Sequence, residues 1–316
     1  MAQPIFTAAH FQDEEAAFAY IEARVWPNGP VCPFCGGIHE RIKKLGGKTT
    51  RLGLWKCYQC MKPFTVKIGT VFESSHVKLH LWLQAMHLIC SSKKGISSNQ
   101  LHRTLGVTLK TAWFMSHRIR EAMRQDRGLF APPMGGAGKI VEADEAYIGR
   151  DANKKLKGPG VKQAVMSLVE REGMIRSFHV ANVRGETLRA IIGKHVSTQS
   201  RFMTDESNIY AGIGWNFAQH GTVMHTAKEF VRGDIHTNTV EGYFSILKRG
   251  ITGVYQHVSE AHLRRYLVEF DFRYNNRVAL GVNDEMRTER ALLGVKGKRL
   301  TYRTTGGKRA TEARPH

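Results

Sequence analysis

Three carboxylates stand far apart in the sequence, at places where the predicted secondary structure would bring them together. Asp144 lies at or near the end of a strand predicted over residues 139–149, and Asp205 ends a strand predicted over 200–205. Glu241 follows on a helix predicted over 238–249, which would pack across the same sheet edge. Carboxylates gathered at one point repel one another unless cations neutralise them, and hard divalent ions suit them, Mg²⁺ first and Mn²⁺ second. Two such ions about 4 Å apart support in-line displacement at phosphorus.

The helix that carries Glu241 has two distinct faces. Its apolar stripe consists of Val240, Phe244, Leu247 and Ile251. Glu241, Ser245 and Lys248 fall on another face, roughly 100° away. Lys248 lies two turns beyond Glu241, about 10 Å at 1.5 Å per residue. At that place its ammonium group would hold a phosphate beside the metal site.

Each of the three acids has an alternative interpretation. Asn238 followed three residues later by Glu241 nearly matches a capping box, in which the acid would only close the start of the helix. The acids that adjoin the two aspartates are further candidates: Glu142 and Glu145 beside Asp144, and Glu206 beside Asp205. His225 and His236 are placed to touch the site, although a lone histidine more often packs or makes a surface hydrogen bond.

Four of the five cysteines form two pairs, with 21 residues between one C-x2-C motif and the next. They are Cys32, Cys35, Cys57 and Cys60. Two such motifs place four thiolates at the corners of a tetrahedron, which is the geometry of a closed structural Zn²⁺ site. A redox thiol pair is the alternative, but it needs a βαβ context that the flanking residues do not provide. Cys90 stands alone on an apolar predicted helix and is expected to pack in the core.

The elements that position the acids are a mixed α/β set. Strands are predicted over 139–149, 161–171, 174–183 and 200–205, with a helix over 185–196 between the third and the fourth. Helices are then predicted over 207–219, 238–249 and 258–275. This order describes a mixed sheet flanked by helices rather than a doubly wound parallel sheet. A loop rich in Lys and Gly, GRDANKKLKGPG, follows the first strand.

A helix-turn-helix is predicted over residues 97–125. Ser97 or Ser98 would cap a short helix that ends at Gly106, and Thr108 would cap a second helix. The second helix carries Lys110, Arg118, Arg120 and Arg124 outside its core stripe. A basic second helix is typical of a motif whose recognition helix enters the major groove of DNA. A plain pair of antiparallel helices is the alternative.

The net charge of +20 is the strongest signal in the composition. The positive excess is densest in residues 79–139 and in the C-terminal tail, as expected for a protein drawn to a polyanion, usually nucleic acid. A merely solubilising basic surface is the alternative. The sequence has no apolar run of about 18 residues and no signal-peptide pattern, so we expect no membrane span and no secretion.

The sequence predicts six segments. They are an N-terminal helical segment (1–30), a zinc ribbon (31–76), a helix-turn-helix region (77–130), a linker (131–138), a catalytic domain (139–296) and a basic tail (297–316).

Five stretches together resemble a known family. They are CPFCGG…WKCYQC, VEADEAYIGR, TDESNIY, HTNTVEGYFSILKRGITGVY and HLRRYLVEFDFRYNNR. This ordered set is similar to bacterial insertion-sequence transposases of family fifteen-ninety-five, the XO-two-like transposases, over roughly residues 10 to 295. The resemblance implies an RNase H-like catalytic fold and a metal-bound acidic triad, with Asp144 first and Asp205 second. The third position in this family is an asparagine or a glutamate, so both Asn238 and Glu241 match it, and Lys248 matches the downstream basic residue.

The resemblance also implies an activity. The expected protein is a DNA transposase that binds terminal inverted repeats, cuts DNA and joins the released 3′-OH to target DNA, with catalytic Mg²⁺ or Mn²⁺ and structural Zn²⁺. Its partners would be double-stranded DNA and other copies of itself, in the bacterial cytoplasm at the nucleoid. The alternatives are a hydrolytic nuclease on the same fold and a non-catalytic DNA-binding regulator.

Overall fold

The computed structural model describes residues 4–125, 132–149, 162–210 and 212–301. Within these ranges the chain folds into a mixed α/β structure with one sheet of three strands and one of five. The mixed α/β class predicted from the sequence is confirmed. No helix in the described ranges is both long enough and apolar enough to cross a lipid bilayer.

The helices are α1 (Ala9–Gln12), α2 (Glu14–Val25), α3 (Leu79–Ser91), α4 (Ser98–Leu105), α5 (Leu109–Met123), α6 (Gly185–His195), α7 (Asn238–Gly250), α8 (Glu260–Asn275) and α9 (Asp284–Leu293). The strands are β1 (Ile42–Lys44), β2 (Trp55–Cys57), β3 (Pro63–Phe64), β4 (Ile140–Ile148), β5 (Gln163–Glu170), β6 (Ile175–Val180), β7 (Arg201–Asp205) and β8 (Gln219–Val223).

The small sheet has the antiparallel order β1-β2-β3. Its inner face buries Ile42 and Phe64 beside two of the paired cysteines, Cys32 and Cys57. Helix α2 is fastened to this sheet through Glu22, whose carboxylate accepts a hydrogen bond of 2.8 Å from the indole N–H of Trp55.

Helices α1 to α5 pack into one apolar core, which α9 also joins from the far end of the chain. The predicted caps of α4 and α5 are confirmed. The Ser97 side chain accepts from the Gln100 amide, and the Thr108 side chain accepts from the Thr111 amide. Gly106 ends α4 with a φ of +65°, a conformation that glycine adopts without steric cost. Cys90 is fully buried in this core, as expected.

Two of the arginines on α5 contradict the expected basic face. Arg118 is 5% exposed and donates to the carbonyl oxygens of Val71 and Glu73, and Arg120 is 1% exposed. The expectation that these two side chains are open to DNA was wrong, because Arg118 is hydrogen-bonded to backbone carbonyls and Arg120 to the buried carboxylate of Glu269. The first turn of α5, at Leu109 and Lys110, is exposed.

A buried ion-pair cluster joins α5 to α8. Arg120 Nε donates to Glu269 Oε2 over 2.6 Å, and Arg273 donates to the other oxygen of the same carboxylate. Tyr255 donates its hydroxyl to Glu269 Oε1 over 2.5 Å. Burial raises the pKa of Glu269, but the charges of Arg273 and Arg120 outweigh it and lower that pKa to about 2. The cluster is therefore ionised at neutral pH.

The large sheet has the order β6-β5-β4-β7-β8. Strands β6, β5 and β4 are antiparallel neighbours, whereas β7 and β8 run parallel to β4. Four of the five strands were predicted, but β8 was not. The helix predicted over 207–219 was wrong, since a 3-10 turn at Gly214–Asn216 leads directly into β8 there.

Each face of the large sheet has its own core. One face packs against α7 and α8, through residues such as Ala146 and Val165. The other packs against α6, through residues such as Ala143 and Met166. Because neighbouring positions along a strand point to opposite faces, the even-numbered residues of β4 face α7 and the odd-numbered ones face α6.

Several predicted segments lie wholly or partly outside the described residues. They are residues 126–130 at the end of the helix-turn-helix region, residue 131 of the linker, residues 150–160 of the loop rich in Lys and Gly, residue 161 of the second predicted strand, and residues 302–316 of the basic tail.

Candidate active site

Asp144 and Asp205 are level with each other on neighbouring parallel strands. β4 and β7 pair with a constant offset of 61 residues, as in the pair Glu142–Met203 (203 − 142). The same offset, continued by two residues, places Asp205 beside Asp144 with both side chains on the face toward α7. β7 ends at Asp205, but β4 continues to Ile148. Asp144 therefore lies within its strand, and not at the strand end that the sequence suggested.

Helix α7 packs across this face and presents Glu241 and Lys248. The apolar stripe predicted from the sequence is buried as expected: Val240, Phe244, Leu247 and Ile251 are each at most 4% exposed. Burial of that stripe fixes the rotation of the helix. The side chains of Glu241 and Lys248 then lie on an exposed face at the edge of the sheet.

Asp144 lies within electrostatic reach of three other charged side chains, those of Asp205, Glu241 and Lys248. Burial raises the pKa of Asp144 to about 7; the charges of Asp205 and Glu241 add to the rise, whereas the Glu145 amide and the Lys248 ammonium oppose it. Three acids that destabilise one another's charge in this way suit hard cations with oxygen ligands.

The three acids are not gathered as tightly as the cysteines. In the described part of the chain, the cysteines are the group of three or more potential ligands whose atoms all lie within 4.8 Å of one another. The carboxylates of Asp144, Asp205 and Glu241 are thus spread more widely than the ligands of one closed site. A spread of this kind is compatible with two ions about 4 Å apart.

Glu142 holds the start of α7 against β4. Its carboxylate is fully buried and accepts hydrogen bonds from the amides of Thr239 and Val240, at 2.9 and 3.0 Å. Arg171 Nε donates to the same carboxylate over 2.6 Å. A carboxylate at a helix N-terminus also interacts favourably with the helix dipole. Glu142 therefore fixes the distance between the strand that carries Asp144 and the helix that carries Glu241.

Since Glu142 supplies the cap, Glu241 is not needed for it. The side chain of Glu241 accepts a 2.9 Å hydrogen bond from the hydroxyl of Thr237, and it lies 3.6 Å from His225 Nε2. It is 44% exposed, so it has room to turn toward the two aspartates. Asn238 is exposed in the first turn of the same helix. The sequence named His225 as a histidine placed to touch the site, with packing or a surface hydrogen bond as the alternative, and here it lies beside Glu241.

The other neighbouring acids are engaged elsewhere. Glu145 follows Asp144 and therefore faces α6, where its carboxylate accepts a hydrogen bond from the hydroxyl of Tyr210. Glu206 accepts hydrogen bonds of 3.0 Å from both the amide and the hydroxyl of Thr226. These contacts give both acids structural partners away from the face that Asp144 and Asp205 share.

The four paired cysteines form a site that fits zinc. The Sγ atoms of Cys32 and Cys60 are 3.6 Å apart, and those of Cys35 and Cys57 are 3.7 Å apart. A tetrahedron with Zn–S bonds of 2.3 Å has edges of about 3.8 Å, so an ion fits between the four sulfurs. Hydrogen bonding from the Cys60 amide lowers the pKa of Cys57 to about 7, which favours the thiolate that binds metal.

Two family models match the chain. One describes a transposase zinc-ribbon domain and matches residues 12–63; the other describes an ISXO2-like transposase domain and matches residues 135–275. The chain is also similar to a protein of Halobacterium salinarum named as an uncharacterized protein in transposable element ISH50. The two are 28% identical over 283 residues, which cover 83% of this chain and 91% of the relative.

Proposed function

We propose that this chain, which matches family models of a transposase zinc ribbon and of an ISXO2-like transposase domain, moves DNA by metal-dependent cleavage and strand transfer. In this proposal it binds the terminal inverted repeats of its element, releases a 3′-OH there and joins that hydroxyl to target DNA. The supporting observation is the strand register that places Asp144 beside Asp205, on the sheet face covered by α7, the helix that carries Glu241.

Asp144, Asp205 and Glu241 would hold the divalent ions, Mg²⁺ or Mn²⁺. Their oxygen donors and mutual repulsion fit such ions, and the structural contacts of Glu142, Glu145 and Glu206 favour this choice of acids over their neighbours. When bound, the ions would supply charge stabilisation for the attacking and leaving oxygens of an in-line displacement. We assign the third position to Glu241 rather than Asn238, since a carboxylate supplies the negative charge that balances a divalent ion and the neutral amide of Asn238 does not.

The remaining residues of the site would position DNA and the ligands. Lys248, exposed on the same face of α7 as Glu241, would bind a phosphate beside the scissile bond. Glu142 would act as a positioning residue, because it ties α7 to β4. The exposed first turn of α5 would supply the protein–DNA contact from the helical region, since the buried Arg118 and Arg120 are not available for it.

The order of the large sheet supports an RNase H-like catalytic domain in this proposal. Three antiparallel strands are followed by two strands parallel to the first of them, with Asp144 and Asp205 on adjacent central strands. We propose the same division of the chain as above, with the ribbon over 31–76 and the catalytic domain over 139–296. The active form would be an oligomer on DNA at the nucleoid.

The test uses the zinc-loaded full chain and duplexes that carry the DNA flanking its coding sequence. We expect Mg²⁺-dependent cleavage, and joined products when a pre-cleaved end is supplied. Asp144→Asn should lose both reactions and keep DNA binding. Glu206→Gln is the matched control and should keep both, because its carboxylate bonds Thr226 instead of facing the site.

Each alternative function predicts a different result. A hydrolytic nuclease would cleave in the same assay without yielding any joined strands. A non-catalytic regulator would show no cleavage at all, and Asp144→Asn would leave its DNA binding and every other activity unchanged.

A further inference from the structure

The outer face of the zinc-ribbon sheet brings like charges together. In the antiparallel β1–β2 pair, Lys43 stands directly opposite Lys56, while the adjoining pair of Ile42 and Cys57 is buried on the inner face. Like charges directly opposite each other destabilise an antiparallel pair. In the described ranges, neither lysine forms an ion pair with a carboxylate. A sheet this small therefore bears an electrostatic cost that an external anion would remove.

The next lysine of β1 behaves differently. Lys44 points to the opposite face, where its ammonium lies 3.4 Å from a carboxylate oxygen of Glu22 on α2. The strand thus presents one neutralised lysine inward and one unneutralised lysine outward. On one face of β1 the lysine is already paired with a carboxylate of the protein, and on the other face the lysine can bind an external anion.

Exposed aromatic rings accompany two lysines of the ribbon, and one of these is the outer Lys56. The ammonium of Lys56 lies 5.2 Å from the ring centroid of Tyr58, and that of Lys62 lies 5.1 Å from the ring centroid of Phe34. Both rings are exposed, Tyr58 at 42% and Phe34 at 47%. A cation–π contact at an exposed site is weak, but it limits the freedom of a long side chain before a partner arrives.

We propose that this surface, which we call the lysine face (Lys43, Lys56 and Tyr58), binds the phosphate backbone of duplex DNA. The two ammonium groups neutralise phosphates, and the Tyr58 ring packs against the sugar and base edges beside them. The inference rests on the proposed function for the identity of the polyanion, and it extends that function by stating which side of the ribbon meets DNA. A second copy of the chain is a poor occupant, because two lysine faces would repel each other.

The salt dependence of binding measures the number of phosphate contacts directly. Each phosphate neutralised on duplex DNA contributes about 0.9 to the slope of log K against log salt. For a fluorescent duplex of about 30 base pairs and the zinc-loaded full chain, Lys43→Gln combined with Lys56→Gln should lower that slope by about 2. Raising the salt from 50 to 200 mM weakens the binding of both proteins, and the factor by which the variant weakens should be about ten times smaller than the factor for the unsubstituted chain.

Lys44→Gln is the matched control, since it removes the same charge from the other face of the same strand. Its slope should equal that of the unsubstituted chain. Lys43→Gln alone should lower the slope by about 1, and because it relieves the repulsion between Lys43 and Lys56 it should not weaken the sheet. Tyr58→Leu should weaken binding at every salt concentration without changing the slope.

The proposal is wrong if Lys43→Gln and the double variant, with zinc content intact, keep the full slope. It is also wrong if sedimentation shows that the chain self-associates without DNA and that the double variant abolishes this association. The binding measurement needs no cleavage. A failure of the proposed chemistry, seen as absent cleavage, is therefore distinguishable from a failure of this interface.

Discussion

Replacing Asp144 by asparagine should make the metal-free protein more stable. The pKa of this side chain rises from 3.8 to about 7 on folding, chiefly through burial and then through Asp205 and Glu241. The folded state therefore binds more protons than the unfolded state between about pH 4 and pH 7, and stability falls as the pH rises through that window. Asparagine keeps the shape of the side chain and removes the buried charge.

The size of the effect follows from the shift. A rise of roughly three pKa units at 1.36 kcal/mol per unit sets a ceiling of about 4 kcal/mol at pH 8. Relaxation of the surroundings around the buried charge lowers this, so we expect a gain of about 2 kcal/mol. Near pH 4.5, where Asp144 is protonated in the folded state, the gain should shrink below about 1 kcal/mol.

Urea denaturation of the zinc-loaded chain, in buffer without Mg²⁺, measures the gain at the two pH values. Asp234→Asn is the control: the hydrogen bond from Arg201 lowers the pKa of Asp234, so its loss should give no stabilisation. Added Mg²⁺ should then raise the stability of the unsubstituted chain more than that of Asp144→Asn. Equal stability of the two proteins at pH 8, or a loss for the variant at both pH values, would refute the reasoning.

Three further predictions follow from buried contacts. Glu142→Gln weakens the cap of α7, so the unfolding free energy should fall by about 1–3 kcal/mol and DNA cleavage should decrease while DNA binding is kept; unchanged cleavage would contradict its positioning role. Glu269→Gln leaves two buried arginines uncompensated and should cost about 3–5 kcal/mol in urea denaturation, whereas Glu289→Gln, which breaks a surface pair, should cost under about 1 kcal/mol. Cys57→Ser should reduce the bound zinc, measured by metal analysis, from about one ion per chain, and a variant that keeps its zinc would remove that assignment.

Much of the candidate site was predictable because its signals are local and periodic. The stripe at Val240, Phe244 and Leu247 fixes which side of α7 is buried, and this leaves Glu241 and Lys248 on a separate face. The cysteine spacing likewise determines the ribbon without knowledge of the rest of the fold. The resemblance to insertion-sequence transposases, which rested on these same stretches, is confirmed by the two family matches.

The wrong or missed predictions have a different cause. In two of them, the residue's partner in the structure lies far away in the sequence. Arg120 looks like a surface cation on its own helix, yet its partner Glu269 lies 149 residues away. The role of Glu142 was hidden for the same reason, since the amides it caps belong to Thr239 and Val240. Strand β8 escaped because its sequence, QHGTV, has little of the apolar alternation that marks a strand.

The buried cluster of Arg120, Glu269 and Arg273 fixes the spacing between the N-terminal helices and the large sheet. Because it joins α5 to α8, and because α9 packs into the core of the first helices, DNA bound by the N-terminal half would, under the proposed function, be held at a set distance from the carboxylates. The cleaved bond would then lie at a fixed number of base pairs from the bound sequence. Inserting half a helical turn of DNA between the bound sequence and the cleaved bond would move that bond away from the carboxylates, while the affinity for the bound sequence would not change.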